Sequence, residues 1–456
     1  MEVAMHEIEV STDLGRLKGL VREGVAIFDG VPYAAAPVGS NRFKLPQPVT
    51  SWEGARDCMK NYPVAPQSAS DLEAPMGAFH RGQSEDCLTL RICTPDIKGK
   101  LPVAVWFHGG ANMSGAGNIE WYDGFSLAKR GPMVVVGVNF RIAALGFLYH
   151  KAFNTENLSI KDQIAALRWI QDHISEFGGD PDNVTLFGQS AGGNAIVHMM
   201  SLAETAGLFH KVILESPSIG RANHTTENAA EIAECILGHM GLDVNAEEFK
   251  GQLLEKTPEE FLQASLAAYG DLGKKYAGML FKPVKDAWST TEATIEAAIT
   301  EAAKRRLKIV IGTTADEVHA FTLGRDPESE KINRAVQNAR YDFPAQEFAA
   351  RAKESGCDVW KYRFTWKAKD SIYDSCHTIE LPFVFGTFDA WRGAAMLAGT
   401  TDEEAARLTE TMQTLWCQFI TRGTFDDTVW PQYSRANPQH KVIDNAENGI
   451  QALVFK

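Results

Sequence analysis

Gly188-Gln189-Ser190-Ala191-Gly192 sets a serine hydroxyl between two glycines in the G-x-S-x-G spacing. Val184, Leu186 and Phe187 before it are apolar and suit a buried strand, and the residues from Ala191 to about Ser201 read as a helix. A strand, a sharp turn and a helix start hold such a serine in a strained backbone conformation, with its hydroxyl lifted out of the sheet edge. The helix start also turns its positive end toward the place where an oxyanion would form. Two glycines flanking a serine recur by chance in many chains. The neighbouring elements must therefore decide whether Ser190 is a nucleophile.

A serine hydroxyl needs a base to take its proton, and the base needs an acid to orient it. In sheet proteins with this turn, the order along the chain is Ser, then Asp or Glu, then His. The loop Thr313-Thr314-Ala315-Asp316-Glu317-Val318 offers Asp316 and Glu317, and both qualify by position. Three histidines follow. His319 stands too close to either acid in sequence, and His440 falls in a polar C-terminal stretch. His377 lies in a loop after a strand that ends near Trp366, and it is the expected base. An oxyanion needs backbone N–H donors. Ala191 supplies one, and the small residues of His108-Gly109-Gly110-Ala111 let a second loop bring its amides close. His108 precedes the serine, so the order excludes it as the base and leaves it a structural role.

The elements that must position these groups follow from hydrophobic patterning. Leu101–Phe107, Met133–Phe140, Lys211–Glu215 and Leu307–Gly312 are largely apolar runs, suited to strands covered on both faces. Asp358–Trp366 reads as a further strand, with closing strands at Lys441–Ile443 and Ala452–Phe455. Short alternating runs in residues 6–34 suggest antiparallel hairpins at one sheet edge, and Leu88–Cys93 is another strand. Residues 35–85 are rich in Pro and Gly and read as irregular. Ile160–Phe177 and Thr401–Ile420 have helical spacing, and a mainly helical insertion occupies about 220–305. Strands alternating with helices predict a mostly parallel, doubly wound sheet in one domain spanning 1–456, with its site at the carboxyl ends of the strands.

Composition bounds the function classes. The chain has 456 residues, 45% hydrophobic and 23% charged, enough for a large core. Its net charge of −13 argues against nucleic acid or anionic lipid as a partner. No apolar run approaches the roughly 20 residues that span a bilayer, and the first residues lack the basic and apolar regions of a secretory signal. Seven scattered cysteines, an odd number, do not form a disulfide framework, and no CxxC pair points to metal or redox chemistry. A reducing, cytoplasmic location and no cofactor are the expectations.

A series of motifs then runs through the chain in order: Phe28-Asp29-Gly30-Val31-Pro32-Tyr33-Ala34, Ser84-Glu85-Asp86-Cys87-Leu88, His108-Gly109-Gly110-Ala111, Asn139-Phe140-Arg141, and Asp162-Gln163. Phe177-Gly178-Gly179-Asp180-Pro181, the serine turn, His377 with Glu380-Leu381-Pro382, and Trp430-Pro431-Gln432-Tyr433 complete it. With these in place the chain closely resembles the type-B carboxylesterase family, over nearly its whole length. The resemblance implies an α/β-hydrolase fold and ester hydrolysis through an acyl-enzyme. It favours Glu317 over Asp316 as the acid. It makes Gly110, Ala111 and Ala191 the oxyanion donors, with Gly109, Gln189 and Ser216 in support. The expected partner is a small-molecule ester, with the protein a monomer or homodimer.

Four departures from the family pattern stand out. Gln189 replaces a frequent Glu, which counts against a cationic choline-type substrate. Ala65-Pro66-Gln67 lacks the cysteine that forms the family's early disulfide. Only 60 residues, 377 − 317, separate Glu317 from His377, so the helical segment at about 320–355 is shortened and a more open pocket is expected. Asn112-Met113 stands where an aromatic residue is frequent and should reshape the pocket. The same triad could also serve acyl transfer or lactone chemistry. A non-catalytic binding role is disfavoured, because Ser190, Glu317 and His377 are all present.

Overall fold

The computed structural model describes residues 5–151, 153, 157–285, 291–444 and 450–452. Among them, thirteen strands make one mixed sheet. They are β1 Met5–Ser11, β2 Arg16–Arg22, β3 Val25–Pro32, β4 Ala55–Asp57, β5 Thr89–Thr94, β6 Leu101–Phe107, β7 Val134–Val138, β8 Gly179–Gln189, β9 Lys211–Glu215, β10 Lys308–Thr314, β11 Asp358–Phe364, β12 Gln439–Ile443 and β13 Ile450–Ala452. Their spatial order is β1-β2-β3-β5-β7-β6-β8-β9-β10-β11-β12-β13, with β4 beside β2. Pairing is antiparallel from β1 through β7 and parallel from β7 through β12, and β13 closes antiparallel. The antiparallel N-terminal edge and the parallel centre match the expectation. Of the anticipated last strand, Ala452 ends β13, and Phe455 lies outside the described residues.

The central strands read as continuous apolar runs because both sheet faces are covered. Along β6, Val103, Val105 and Phe107 enter one core, while Ala104 and Trp106 enter the other. The first core receives Ile164, Leu167 and Ile170 from the helix Leu158–His173, together with Ile196 and Met199 from the helix Ala191–Met200. The second receives Leu408, Met412, Trp416 and Phe419 from the helix Asp402–Arg422. That 21-residue helix starts at a capping box, with Thr401 and Glu404 each bonding the other's backbone N–H, and it ends at Gly423 in the left-handed region.

The block after β9 is helical as expected: Thr226–His239, Phe249–Glu255, Pro258–Leu272 and Thr291–Arg305. Its first three helices share a third core with Phe43, Leu145 and Phe147. A two-residue parallel pairing, His224–Thr225 with Val284–Lys285, was not anticipated. His440, read from sequence as a loop residue, instead lies buried within β12. Its neighbours are polar because β12 is a short strand near the sheet edge, so no apolar run marks the start of the strand.

Several motif residues are scaffold ion pairs. Arg141 grips Asp162 with Nε at 2.7 Å and Nη2 at 2.6 Å, and both side chains are buried. Arg42 does the same to Glu85, and Arg91 meets Asp29 at 3.1 Å. Removing one member of such a pair would strand a buried charge.

Candidate active site

In strand order β6 lies between β7 and β8, so the chain leaves the sheet centre in opposite directions at this point. That reversal opens a crevice at the carboxyl ends of β6 and β8. Phe107 pairs with Gly188, which brings the loop after β6 against the turn after β8. Backbone hydrogen bonds then link the loops across the sheet. Ser190 N–H donates to Glu215 O (2.9 Å), Ser216 N–H to Gly312 O (2.8 Å), Asp316 N–H to Ser375 O (2.9 Å) and His377 N–H to Glu317 O (3.3 Å).

Ser190 has φ 55° and ψ −118°, the strained turn that its spacing predicts. The glycines make room for it. A Cβ on Gly192 would stand 2.0 Å from Phe107 O, and one on Gly109 would stand 2.8 Å from Gln189 Oε1 and 3.2 Å from Ser190 Cβ. Positive φ recurs at Ala111, Asn112, Ser216 and Thr378, all on the loops that converge here. Among the described residues, the N–H groups of Gly110, Ala111 and Ala191 donate to no protein acceptor. Gly110, Ala111, Ala191 and Ser190 line one cavity of about 230 Å³. An anion on a substrate beside Ser190 would find these donors available.

Of the two acids left open by position, the geometry brings Glu317 to the histidine. His377 Nδ1 donates to Glu317 Oε2 at 2.5 Å, and Glu317 Oε1 accepts Thr314 N–H at 2.8 Å. Both side chains are fully buried. Asp316 turns away, its Oδ2 accepting Ser375 N–H at 3.3 Å. His319 is occupied elsewhere, with Nδ1 3.0 Å from Asp374. His108 stacks on Phe140 and donates Nδ1–H to Gly109 O at 2.7 Å, and burial pulls it down to about 4, which keeps it neutral. It serves as a prop, as the chain order requires.

With Nδ1–H given to Glu317, His377 Nε2 carries a lone pair. Gln189 reaches it, donating from Nε2 at 3.0 Å. Ser190 Oγ makes no hydrogen bond with a protein group among the described residues. The imidazole also packs against Phe321 (5.5 Å) and Tyr341 (5.3 Å), which line the Ser190 cavity. The short segment between Glu317 and His377 thus still walls the cavity. Met113 lines it too, while Asn112 ties back to Phe281 O at 3.0 Å.

Two carboxyls beneath the site escaped the sequence reading. Burial pushes Glu215 up to about 8, although Trp416 Nε1 donates to it at 2.7 Å. Burial, with Glu215 and Glu317 nearby, pushes Glu380 well above the carboxylate range. Glu380 was legible only as part of a motif, with no signal of its role. Ser216, fully buried, lies against Glu380. Arg221, Arg340 and Tyr341 also reach the cavity from segments that carry no motif.

A mostly parallel sheet flanked by helices, with a serine on a strand-to-helix turn and a Glu–His pair on the two following loops, defines an α/β-hydrolase. The chain belongs to the carboxylesterase family, whose model matches residues 6–340 and 325–454. It is 35% identical over 477 aligned residues to a para-nitrobenzyl esterase of Bacillus subtilis, covering 96% of this chain and 95% of that one. It is 34% identical to a probable N-octanoylanthranilate hydrolase, AqdA2, of Rhodococcus erythropolis, covering 96% and 99%. The solved structure of a thermophilic PNB esterase superimposes with a TM-score of 0.87 at 32% identity, over 97% of each chain. The protein is a carboxylic ester hydrolase. Among the described residues no helix is long and apolar enough to cross a membrane, and all seven cysteines are free.

Proposed function

We propose that the protein hydrolyses carboxylic esters through an acyl-enzyme on Ser190. His377 Nε2 exchanges the Gln189 amide for the Ser190 hydroxyl and takes its proton, while Nδ1–H stays on Glu317. Oγ attacks the ester carbonyl carbon. The carbonyl oxygen becomes an oxyanion and accepts the N–H groups of Gly110, Ala111 and Ala191. Collapse expels the alcohol, which leaves with the proton from His377. Water, deprotonated by His377, then attacks the acyl carbonyl, frees the acid and restores Ser190.

The observation that carries this reading is the buried 2.5 Å Glu317–His377 contact, which fixes the imidazole with its lone pair toward the serine turn. The names of two relatives specify a para-nitrobenzyl ester and N-octanoylanthranilate, both with an aromatic part. Phe321 and Tyr341 beside the cavity support an aryl-bearing ester here. The free thiols suit a reducing compartment, and the cytoplasm is the proposed location. Ser190→Ala should lose turnover of p-nitrophenyl acetate by orders of magnitude. Near-full activity in that variant would contradict the assignment.

A further inference from the structure

We propose that the cavity around Ser190 selects esters carrying a carboxylate, bound by Arg340 and Arg221 with Lys282 beside them. The proposal deepens the esterase reading above and rests on it. Arg221 and Arg340 both line the 230 Å³ cavity that holds Ser190, Gly110 and Ala111. A narrower cavity of about 40 Å³ shares Ala191, Arg221 and Met279 with it and adds Lys282. Among the described residues Asp71 is the one carboxylate lining either space. Three cations against one anion is a sharp local reversal in a chain of net charge −13. Clefts lined by one sign of charge concentrate ligands of the other.

Arg340 and Lys282 are held in place at a cost. Arg340 sits in a π-helical turn, Asn338–Asp342, between the helices Pro327–Gln337 and Phe343–Glu354. Such turns are rare and cluster at functional sites. The same turn presents Tyr341 to His377, so Arg340 is fixed relative to the catalytic imidazole. Burial and then the Arg221 charge pull Arg340 below the usual guanidinium range, and the same two causes act on Lys282. Among the described residues neither Arg340 nor Lys282 makes an ion pair. Half-buried like charges without a protein counter-ion are unfavourable on their own. A substrate carboxylate would relieve the repulsion, and a guanidinium offers it a forked, charge-assisted hydrogen bond.

Two matched pairs of esters test this. Phenyl acetate against 3-acetoxybenzoate places the carboxylate on the alcohol side. Phenyl benzoate against monophenyl isophthalate places it on the acyl side. The meta position prevents the carboxylate from attacking its own ester. In at least one pair, kcat/KM for the carboxylate ester should exceed that of its neutral partner by about tenfold or more, the size of a charge-assisted hydrogen bond. That ratio should fall in high salt and collapse toward one in Arg340→Gln and in Lys282→Gln, with Arg340→Lys retaining part of it. A ratio at or below one in both pairs, or a ratio that survives Arg340→Gln, overturns the proposal. Wild-type turnover of phenyl acetate reports the esterase reading separately, so the two can fail independently.

Discussion

Gln189 Nε2 stands 3.0 Å from His377 Nε2, so the residue before the serine, rather than the serine itself, satisfies the imidazole lone pair in the resting site. An amide can do this because it has N–H groups to donate, whereas a carboxylate can only accept. The frequent Glu of the family at this position would face a neutral imidazole with no hydrogen to share.

Gln189→Glu should therefore favour the protonated imidazole, because an opposite charge at this distance stabilises it. The base must be neutral to accept the serine proton, so the acid limb of kcat/KM should move to higher pH by roughly 1–3 units. Gln189→Leu, which adds no charge and only removes the donor to the neutral imidazole, should move the limb far less. A pH–rate profile of the three proteins on p-nitrophenyl acetate checks this, and an unmoved limb in Gln189→Glu would show that the contact does not exist in solution.

Glu317→Gln keeps the shape of the acid but can present N–H to His377, which favours the wrong tautomer. A loss in kcat of roughly three to four orders of magnitude is expected. Asp316→Asn should change kcat little, because among the described residues the Asp316 side chain accepts a hydrogen bond only from Ser375 N–H, at 3.3 Å. Comparing the two variants by single-turnover kinetics separates them; equal losses would contradict the assignment of Glu317.

Glu215 is raised from its ordinary value of 4.5 to about 8 by burial. Its folded form thus holds a proton that the unfolded chain releases near pH 4.5. The stability from that proton is full below about 4.5 and is lost as pH rises toward 8, at up to about 1.4 kcal/mol per pH unit. Glu215→Gln cannot ionise and keeps an acceptor for Trp416. Its unfolding midpoint, compared with wild type from pH 5 to 8.5, should decline less steeply. Parallel curves would rule out a buried, protonated Glu215.

Asp162→Asn leaves Arg141 buried with its bidentate partner gone. A loss of about 3–5 kcal/mol in stability is expected, measured by urea unfolding, with kcat per folded molecule little changed. A large kcat loss at unchanged stability would make Asp162 part of the chemistry rather than the frame.

Much of this was readable from residues alone, for identifiable reasons. β6 and β9 have the boundaries their apolar runs predict, because strands covered on both faces are apolar through their interiors, and in β9 the charged Lys211 and Glu215 mark the two ends. The strained turn at Ser190 and the placing of His377 on a loop after β11 follow from turn chemistry and chain order, which constrain both positions strongly. Position alone left Glu317 and Asp316 both open, since adjacent loop residues differ only in where the turn points them, and only the family resemblance favoured Glu317. Arg340 and Tyr341 gave no signal at all. They reach the cavity through a π-helical turn, whose extra residue no apolar period announces. Gln189 drew notice for the charge it lacks, but its bond to His377 exists only because two loops 188 residues apart meet at the sheet end.

The most direct test of the central claim is to trap the nucleophile. Incubating the wild-type protein with a fluorophosphonate should add one phosphonyl group, abolish activity in step with labelling, and place the added mass on the peptide that contains Ser190. Ser190→Ala should take up none. Labelling confined to another residue, or full activity after stoichiometric labelling of Ser190, would contradict the account.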